Sequence, residues 1–268
     1  MKKPRLPILL WTFFLILVNV SFAAALTPDP RIEAETALLL DMTTGEVLYE
    51  KSPDRKMFPA STTKMITCIL ALESGKMDDT VAISEKAARA PGQKLDLARG
   101  ETMVMSVLVN AMMMYSGNDA AVAIAEHVAG DVDTFVDMMN AKAQALGMNS
   151  THFANPSGLH DDNHLTTAAD MAKLAQYAIK NQNFVNIVRQ ESYTMPRSDK
   201  RVEKEFRNTN YLLRKDKPDA YYAYATGIKT GDTTQAGKCL VASASKDGMN
   251  LICLIFKDTS DDGKKRWS

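Results

Sequence analysis

The stretch PASTTKMITCILALE, residues 59–73, divides a strand-like start of the chain from a helical middle. Apolar residues recur within it at helical spacing, and the pattern ends at Ser74-Gly75. It therefore predicts a helix over 61–73, with a serine and a lysine three residues apart on its first turns. Such a pair is either the ordinary polar start of a helix or the centre of a reactive site.

Outside this stretch, strand-like patterns occupy the two ends of the sequence and helical patterns occupy the middle. The predicted strands are 36–41, 46–51, 222–230, 238–245 and 249–257, and the further predicted helices are 102–115, 119–129, 132–146 and 167–180. Two N-terminal and three C-terminal strands can join in one antiparallel five-stranded sheet, covered by helices that extend into a mainly helical lobe. The predicted fold class is therefore α/β in the broad sense (α+β).

The N-terminal segment MKKPRLPILLWTFFLILVNVSFAAALTPDP has the layout of a secretory signal peptide. A basic start precedes an apolar run at 8–20, and cleavage is expected after Ala23 or Ala25, which assigns residues 1–25 to the signal peptide. An uncleaved membrane anchor is the alternative, but the apolar run is short for a membrane span. About 240 residues remain for one domain, 26–268, exported to the periplasm or the extracellular face of the cytoplasmic membrane.

The charges balance, since 32 basic and 32 acidic side chains give a net charge of zero. This balance gives no support for nucleic acid as a partner. No repeat or long linker divides the mature chain, so we expect one compact unit and a monomer, with peripheral membrane association left open.

The three cysteines are predicted to be buried thiols without a disulfide. With a hairpin turn at residues 247–248, Cys239 is predicted to face Phe256. Cys253 then faces Ala242. The two sulfurs therefore belong to opposite faces of the sheet and cannot pair.

The Ser61 hydroxyl and the Lys64 amine can come within hydrogen-bond reach, because residues three apart on a helix share a face. A serine hydroxyl is a weak nucleophile until a base takes its proton. A lysine can be that base only when burial and cationic neighbours lower its pKa. Alone the pair proves little, because Ser-x-x-Lys occurs about once by chance in a chain of this length.

Two further motifs follow in the chain. Ser-Gly-Asn at 116–118 lies in a predicted break between helices, where a hydroxyl and an amide can point into a cleft. Lys-Thr-Gly at 229–231 lies on a predicted edge strand, where an ammonium, a hydroxyl and a glycine that permits close approach can line one wall. The helix start at Ser61 can supply backbone N–H groups to a developing oxyanion.

In this order and setting the three motifs resemble those of penicillin-binding proteins and class A β-lactamases. The likeness runs through FPASTTKMITCILALE, YSGNDAAVAIAEHVAG, NPSGLHDDNHLTTAADMAKLA, NTNYLL and GIKTGDTTQAGKCLVASASKDGMNLI. Over nearly all of residues 35–257 the chain resembles a low-molecular-mass penicillin-binding protein of the serine D-alanyl-D-alanine carboxypeptidase family. The resemblance implies the penicillin-binding/β-lactamase-like transpeptidase fold.

The resemblance also implies a reaction, the removal of the terminal D-alanine from a peptidoglycan stem peptide ending in D-Ala-D-Ala. Ser61 would form the acyl-enzyme, and Lys64 would accept its proton. Ser116 would relay the proton toward the leaving nitrogen, and Asn118 would hold Lys64 and the substrate amide. No metal or organic cofactor is implied, and β-lactams are expected to acylate the same serine.

The substrate-binding residues implied by the resemblance lie at and after the third motif. Lys229 and Thr230 would receive the terminal carboxylate, and Lys229 would lower the pKa of the catalytic lysine by like charge. Gly231 would permit close approach. The backbone N–H of Asp232 would complete the oxyanion hole with that of Ser61.

Two departures from the family pattern stand out. At position 232 an aromatic, histidine or small residue is expected more often than Asp, and the extra carboxylate is expected to weaken the affinity for an anionic substrate. Family members usually continue past Ser268 into a helix that packs on the sheet, and many add a β-rich domain with a membrane anchor. We therefore expect residues 26–268 to form the DD-peptidase domain without these parts.

Other functions remain as alternatives. D,D-endopeptidase cleavage of peptidoglycan crosslinks would use the same residues. A class A β-lactamase is disfavoured, because no Glu between Ser116 and Lys229 is followed four residues later by Asn. A non-catalytic wall-binding protein is disfavoured by the complete set of motif side chains. A zinc site at His160 and His164 is disfavoured, because no motif supplies a third ligand. The Asn-Pro-Ser-Gly turn at 155–158 is a candidate for the border of the cleft.

Overall fold

A computed structural model gives the structure of the protein and describes residues 32–258. The predicted signal peptide at 1–25 and the chain end at 259–268 lie outside the described residues. The strands are β1 (Thr36–Asp41), β2 (Val47–Lys51), β3 (Thr80–Ala82), β4 (Thr102–Val104), β5 (Ser192–Met195), β6 (Lys204–Arg207), β7 (Ala225–Thr233), β8 (Gly237–Lys246) and β9 (Met249–Asp258). The helices are α1 (Lys64–Glu73), α2 (Glu85–Ala88), α3 (Met105–Tyr115), α4 (Asn118–Ala129), α5 (Val132–Ala145), α6 (Ala168–Ala178) and α7 (Gln182–Val188), with short 3-10 helices at Ala60–Thr63 and Tyr211–Leu213.

The predicted five-stranded antiparallel sheet is confirmed. Its strand order is β2-β1-β9-β8-β7, so that the N-terminal hairpin pairs with the last strand, and β7 lies at one edge. Alternate residues of β9, Ile252, Leu254 and Phe256, are fully buried, as expected for a sheet with one face on the core. The third motif therefore lies on an edge strand, as predicted.

The helical middle packs over the sheet, with boundaries close to the predicted ones. Thr167 caps α6, since its side chain accepts a hydrogen bond from the Asp170 N–H. The prediction of a helix from residue 102 was wrong at its start. Residues 102–104 form β4, which pairs with β3, and this long-range pairing overrides the local preference.

Several short elements were not predicted, namely α2, α7, the β3–β4 pair and the β5–β6 hairpin. β7 begins at Ala225 and not at Tyr222. Tyr222 and Tyr224 are exposed and precede the strand, although aromatic residues favour strands.

The cysteines follow the prediction in part. Cys253 lies opposite Ala242, but the register shifts between Lys238 and Leu240, so Cys239 lies at an irregularity and not opposite Phe256. All three thiols are free. Cys239 is buried and Cys253 only half-buried. Burial raises the pKa of Cys239 to about 12 and that of Cys253 to about 11, so both thiols stay protonated.

Within residues 32–258, no helix combines the length and the apolar character that a membrane span requires.

Candidate active site

The serine–lysine pair lies where the 3-10 helix Ala60–Thr63 runs into α1, so the α-helix proper begins at the lysine and not at the serine. The side chain of Lys64 is fully buried, and its Nζ lies 3.0 Å from Ser61 Oγ. The same nitrogen donates to Asn118 Oδ1 at 2.7 Å and to the Ser157 carbonyl oxygen at 2.6 Å. These two acceptors fix the amine in front of the serine hydroxyl.

Close backbone packing holds the turn that carries Ser61. A Cβ atom at Gly158 would lie 1.8 Å from the Ala60 carbonyl oxygen, and one at Gly231 would lie 2.9 Å from the Ser61 nitrogen. Gly158 also has φ +82°, a conformation that favours glycine. Gly158 also lines the cleft between the motifs, which confirms the prediction that the 155–158 turn borders it.

The second motif forms the junction between α3 and α4. Ser116 ends α3 in a left-handed conformation, with φ 69°, and Asn118 begins α4. Asn118 Nδ2 donates to the Pro91 carbonyl and its backbone N–H donates to the Gln93 carbonyl, each at 2.7 Å. With the amide nitrogen held in this way, Oδ1 faces Lys64.

The third motif forms the opposite wall of the site, on β7. Lys229 is buried, and its Nζ donates to the Thr230 carbonyl oxygen at 2.9 Å. Thr230 Oγ1 donates to Thr209 Oγ1 at 2.7 Å. Asp232 is exposed and lies opposite Lys238 on β8.

Burial and like charge shift the pKa values of the two buried lysines. The pKa of Lys64 lies well below its ordinary value of 10.5, mainly because burial penalises the ammonium form and also because of the nearby charge of Lys229, while Asp119 opposes the shift. Burial lowers the pKa of Lys229 to about 7. Two ammonium groups are therefore disfavoured together in this region, and a neutral Lys64 can accept a proton.

One cleft of about 460 Å³ connects the motifs. Of the predicted site residues, Ser61, Ser116, Asn118, Thr230, Gly231 and Asp232 line it. Lys64 and Lys229 are buried, 0% and 1% exposed, beneath the two walls. The structure thus brings the three motifs to one site.

Other lining residues had not been identified as site residues. They are Gly92, Gln93, Tyr115, Leu159, Arg207, Asn208, Thr209, Tyr211, Arg214, Thr233 and Lys238. Asn208, Thr209 and Tyr211 belong to the stretch NTNYLL, which carried a signal only through the family resemblance. Gln93 and Arg207 had no sequence signal, because Gln93 lies in irregular backbone and Arg207 ends β6, a short strand that periodicity did not reveal.

The two candidate metal-ligating histidines have separate environments. His164 is buried, its Nδ1 accepts a hydrogen bond from the Ala154 N–H, and its Nε2 lies 2.8 Å from Thr63 Oγ1. Burial lowers the pKa of His164 to about 4, so the ring is neutral. His160 packs edge-on against Phe58, with ring centroids 4.8 Å apart. In the part of the chain from 32 to 258, no group of three or more His, Cys, Asp or Glu side chains is placed to hold a metal ion.

Comparison with known proteins identifies the family. A peptidase S11 family model, described as D-alanyl-D-alanine carboxypeptidase, matches residues 23–260. The chain belongs to this family. The crystal structure of the D-alanyl-D-alanine carboxypeptidase from Mycobacterium tuberculosis H37Rv superimposes with a TM-score of 0.79 at 30% identity, covering 87% of this chain and 86% of the other. The predicted family and transpeptidase-like fold are confirmed.

Curated relatives extend the S11 comparison. D-alanyl-D-alanine carboxypeptidase DacF of Bacillus subtilis is 38% identical over 236 residues, covering 86% of this chain and 59% of the relative. A protein named D-alanyl-D-alanine endopeptidase, from Pseudomonas aeruginosa, is 32% identical over 260 residues, covering 91% of this chain and 80% of the relative. The chain thus spans only about three fifths of the length of its DacF relative.

Proposed function

We propose that the protein is a serine D-alanyl-D-alanine carboxypeptidase that acts, outside the cytoplasm, on peptidoglycan stem peptides ending in D-Ala-D-Ala and is acylated by β-lactams. The observation that carries the proposal is the 3.0 Å contact between Ser61 Oγ and the buried Nζ of Lys64. Family membership supports the substrate class.

Acylation begins with proton transfer from the serine to the lysine. Neutral Lys64 takes the proton from Ser61 Oγ, which attacks the carbonyl carbon of the penultimate D-alanine. Burial, and the nearby charge of Lys229, lower the pKa of Lys64 and so favour the neutral amine. The oxyanion of the tetrahedral intermediate lies between the backbone N–H groups of Ser61 and Asp232.

Collapse of the intermediate breaks the peptide bond. The proton held by Lys64 passes through the hydroxyl of Ser116 to the leaving nitrogen, and D-alanine departs. Asn118 keeps Lys64 in line, because its Oδ1 accepts from the same nitrogen at 2.7 Å. In the second half-reaction a water molecule gives a proton to Lys64 and cleaves the acyl ester, which restores Ser61.

Substrate orientation depends on the strand wall. Lys229 and the Thr230 hydroxyl bind the terminal carboxylate, which sets the scissile carbonyl over Ser61. Gly231 lets β7 lie close to Ser61, since a side chain at this position would meet the Ser61 nitrogen.

Mass spectrometry tests the proposal. After exposure to benzylpenicillin we expect one covalent adduct, on Ser61, and release of D-alanine from a peptide ending in D-Ala-D-Ala. Ser61→Ala should lose both. A wild-type protein that forms no adduct and releases no D-alanine would refute the proposal and favour a non-catalytic wall-binding role.

The lifetime of the adduct separates this function from β-lactamase activity. Among the described residues that line the cleft, Asp232 is the only carboxylate, and no glutamate is placed there to activate a deacylating water. We therefore expect the penicilloyl adduct to persist over many minutes. Rapid antibiotic turnover would favour the β-lactamase alternative.

A second candidate function is D,D-endopeptidase cleavage of crosslinked peptides, favoured by the likeness to the Pseudomonas aeruginosa protein of that name. Both reactions use the same acyl-enzyme, and only the leaving group differs. Purified crosslinked dimers offered beside monomeric pentapeptides discriminate between them. Release of monomers from the dimers at a rate similar to that of D-alanine release would support the endopeptidase.

A further inference from the structure

The second motif is held by a segment of irregular backbone, residues 91–101, which contains no helix or strand. Besides its contacts with Asn118, this segment binds the neighbouring carboxylate of Asp119. The Leu95 N–H donates to Asp119 Oδ1 at 2.9 Å, and the Leu97 N–H donates to Oδ2 at 3.0 Å. The position of Asn118 therefore depends on the shape of this segment.

Backbone hydrogen bonds to Ile83 hold residues 100 and 101, and side-chain contacts hold much of the rest of segment 91–101. Asp96 lies in the left-handed region, with φ 63°, a conformation that needs support from its surroundings. At the end of the segment the carboxylate of Glu101 is fully buried and accepts from the Ala98 N–H at 2.9 Å. A buried carboxylate requires a charged or hydrogen-bonding partner.

The partner is Arg201, from the loop between β5 and β6. Its Nε donates to Glu101 Oε1, and its Nη2 donates to Oε2 at 2.8 Å. The same guanidinium donates to the carbonyl oxygens of Leu95 at 3.0 Å and of Asp96 at 2.7 Å. Ser198 Oγ adds a bond to Glu101 Oε1 at 2.6 Å. One side chain thus joins the middle of the segment to its last residue.

These contacts lead directly to the catalytic lysine. Leu95 accepts from Arg201 through its carbonyl and donates to Asp119 through its N–H. The next residue toward the site, Asn118, accepts from Lys64 Nζ. A buried ion pair is weak support for stability, since apolar replacements are often as stable, but its fork geometry fixes orientation.

The β5–β6 hairpin also reaches the opposite wall of the cleft. Just beyond β6, Thr209 accepts from the Thr230 hydroxyl, and its N–H donates to the Met114 carbonyl on α3. The loop end of the hairpin therefore contacts the support of Asn118, while its base contacts Thr230. Displacement of the loop would therefore shift the wall that carries Asn118 relative to the wall that carries Thr230.

We propose that Arg201 is a positioning residue, which holds segment 91–101 through Glu101 and the carbonyls of Leu95 and Asp96 and so keeps Asn118 in contact with Lys64. The consequence for catalysis rests on the proposed function. The support of segment 91–101 by Arg201 does not depend on that function, so the structural role and the catalytic role can fail separately.

Amide hydrogen exchange tests the structural role without any substrate. In Arg201→Leu we expect the N–H groups of Leu95, Leu97 and Asn118 to exchange about tenfold faster or more than in the wild type, because the segment opens locally. Amides in the centre of β9 should be unchanged. Arg55→Leu is the matched control, since Arg55 pairs with Glu35 at 2.7 Å on an exposed surface.

A double-mutant cycle tests the catalytic role. Arg201→Leu should lower the second-order rate of acylation by benzylpenicillin about tenfold to a hundredfold, as expected when a supporting residue displaces a reactive group. In an Asn118→Ala background the same change should cost little, because its target is already removed. If Arg201 acted only on the overall structure, the acylation rate of the double variant would fall by the product of the two single losses.

Two milder variants keep the test decisive if Arg201→Leu does not fold. Arg201→Lys retains a charge beside Glu101 but cannot donate to both carbonyls, and Ser198→Ala removes one bond to Glu101. We expect intermediate exchange rates for both.

Wild-type exchange at residues 95, 97 and 118 in every variant that folds would overturn the proposal. So would acylation losses that multiply with Asn118→Ala. A wild-type protein that is not acylated would refute the proposed function, and the exchange data would still decide the role of Arg201.

Discussion

The two walls of the cleft differ in construction. On the helical wall, Ser61, Lys64 and Asn118 are bonded to one another, and the central lysine has no exposed surface. On the strand wall, Thr230 and Asp232 border the open cleft, and the Thr230 hydroxyl is bonded to Thr209 on a neighbouring loop. The helical wall thus holds its groups through bonds to one another, whereas the strand wall combines a buried cation, Lys229, with groups that line the cleft.

This difference predicts two kinds of kinetic defect. Loss of a group that acts in the transition state lowers kcat and kcat/KM together. Loss of a group that binds ground state and transition state alike raises KM. The helical wall should give the first pattern and the strand wall the second.

The largest contrast is expected between the two buried lysines. Lys64→Ala removes the base and should lower the acylation rate about a thousandfold. Lys229→Ala removes a charged carboxylate partner and should act mainly on KM, by about 30-fold. Lys173→Ala is the control, since the Lys173 side chain is 44% exposed and pairs with Asp170. Steady-state kinetics with a D-Ala-D-Ala peptide measures all three, and equal kcat losses for Lys64 and Lys229 would remove the distinction between the walls.

The pH profile should separate the same two lysines. Protonation of Lys64 stops proton transfer, so kcat/KM falls toward acid. Deprotonation of Lys229, whose pKa burial lowers to about 7, weakens carboxylate binding, so kcat/KM falls about tenfold per pH unit above that value.

A substrate with an amidated C-terminus sharpens this test. Because it has no carboxylate for Lys229 to bind, its profile should keep the acid limb and lose the alkaline one. An alkaline limb that persists with the amide would assign that limb to a group other than Lys229.

A smaller effect is expected at Thr209, which orients the Thr230 hydroxyl. Thr209→Val removes the acceptor at nearly constant shape and should raise KM about fivefold, the cost of one neutral hydrogen bond. Thr233→Val, on the same rim, is the control. A change in kcat alone would contradict a role confined to binding.

The smallest effect is expected at Asp232, where repulsion of the substrate carboxylate is screened by water and by Lys238 on the next strand. Asp232→Asn should lower KM about twofold to threefold at low ionic strength. The gain should vanish in high salt. An increase in KM would indicate that this carboxylate assists binding.

The sequence predicted the sheet and the motif residues, because both depend on local patterns. β-Rich composition on either side of a Thr-Gly turn marked β1 and β2, and the Ser-x-x-Lys spacing placed Ser61 and Lys64 on one face. The helix predicted to begin at residue 167 was also placed correctly, since Thr167 is the N-cap of α6. Each of these features is encoded within a few residues.

Features set by distant contacts were missed or misassigned. The helix predicted from residue 102 ignored the pairing of β4 with β3, and the register of Cys239 ignored the shift beside Lys238. Segment 91–101 has no periodic sequence pattern. Its shape depends on the contact between Glu101 and Arg201, which are a hundred residues apart in the sequence. The supports of the second motif could therefore not be predicted from the sequence.

The proposed mechanism requires Lys64 to be a buried amine that can take a proton from Ser61. NMR titration of the side chain of Lys64, with Nζ and Cε labelled, measures this directly. We predict a pKa of Lys64 well below the ordinary 10.5, with the neutral amine present under the conditions of catalysis. Because the charge of Lys229 lowers this pKa, Lys229→Ala should raise it. A Lys64 ammonium that persists until above pH 10 would contradict the account.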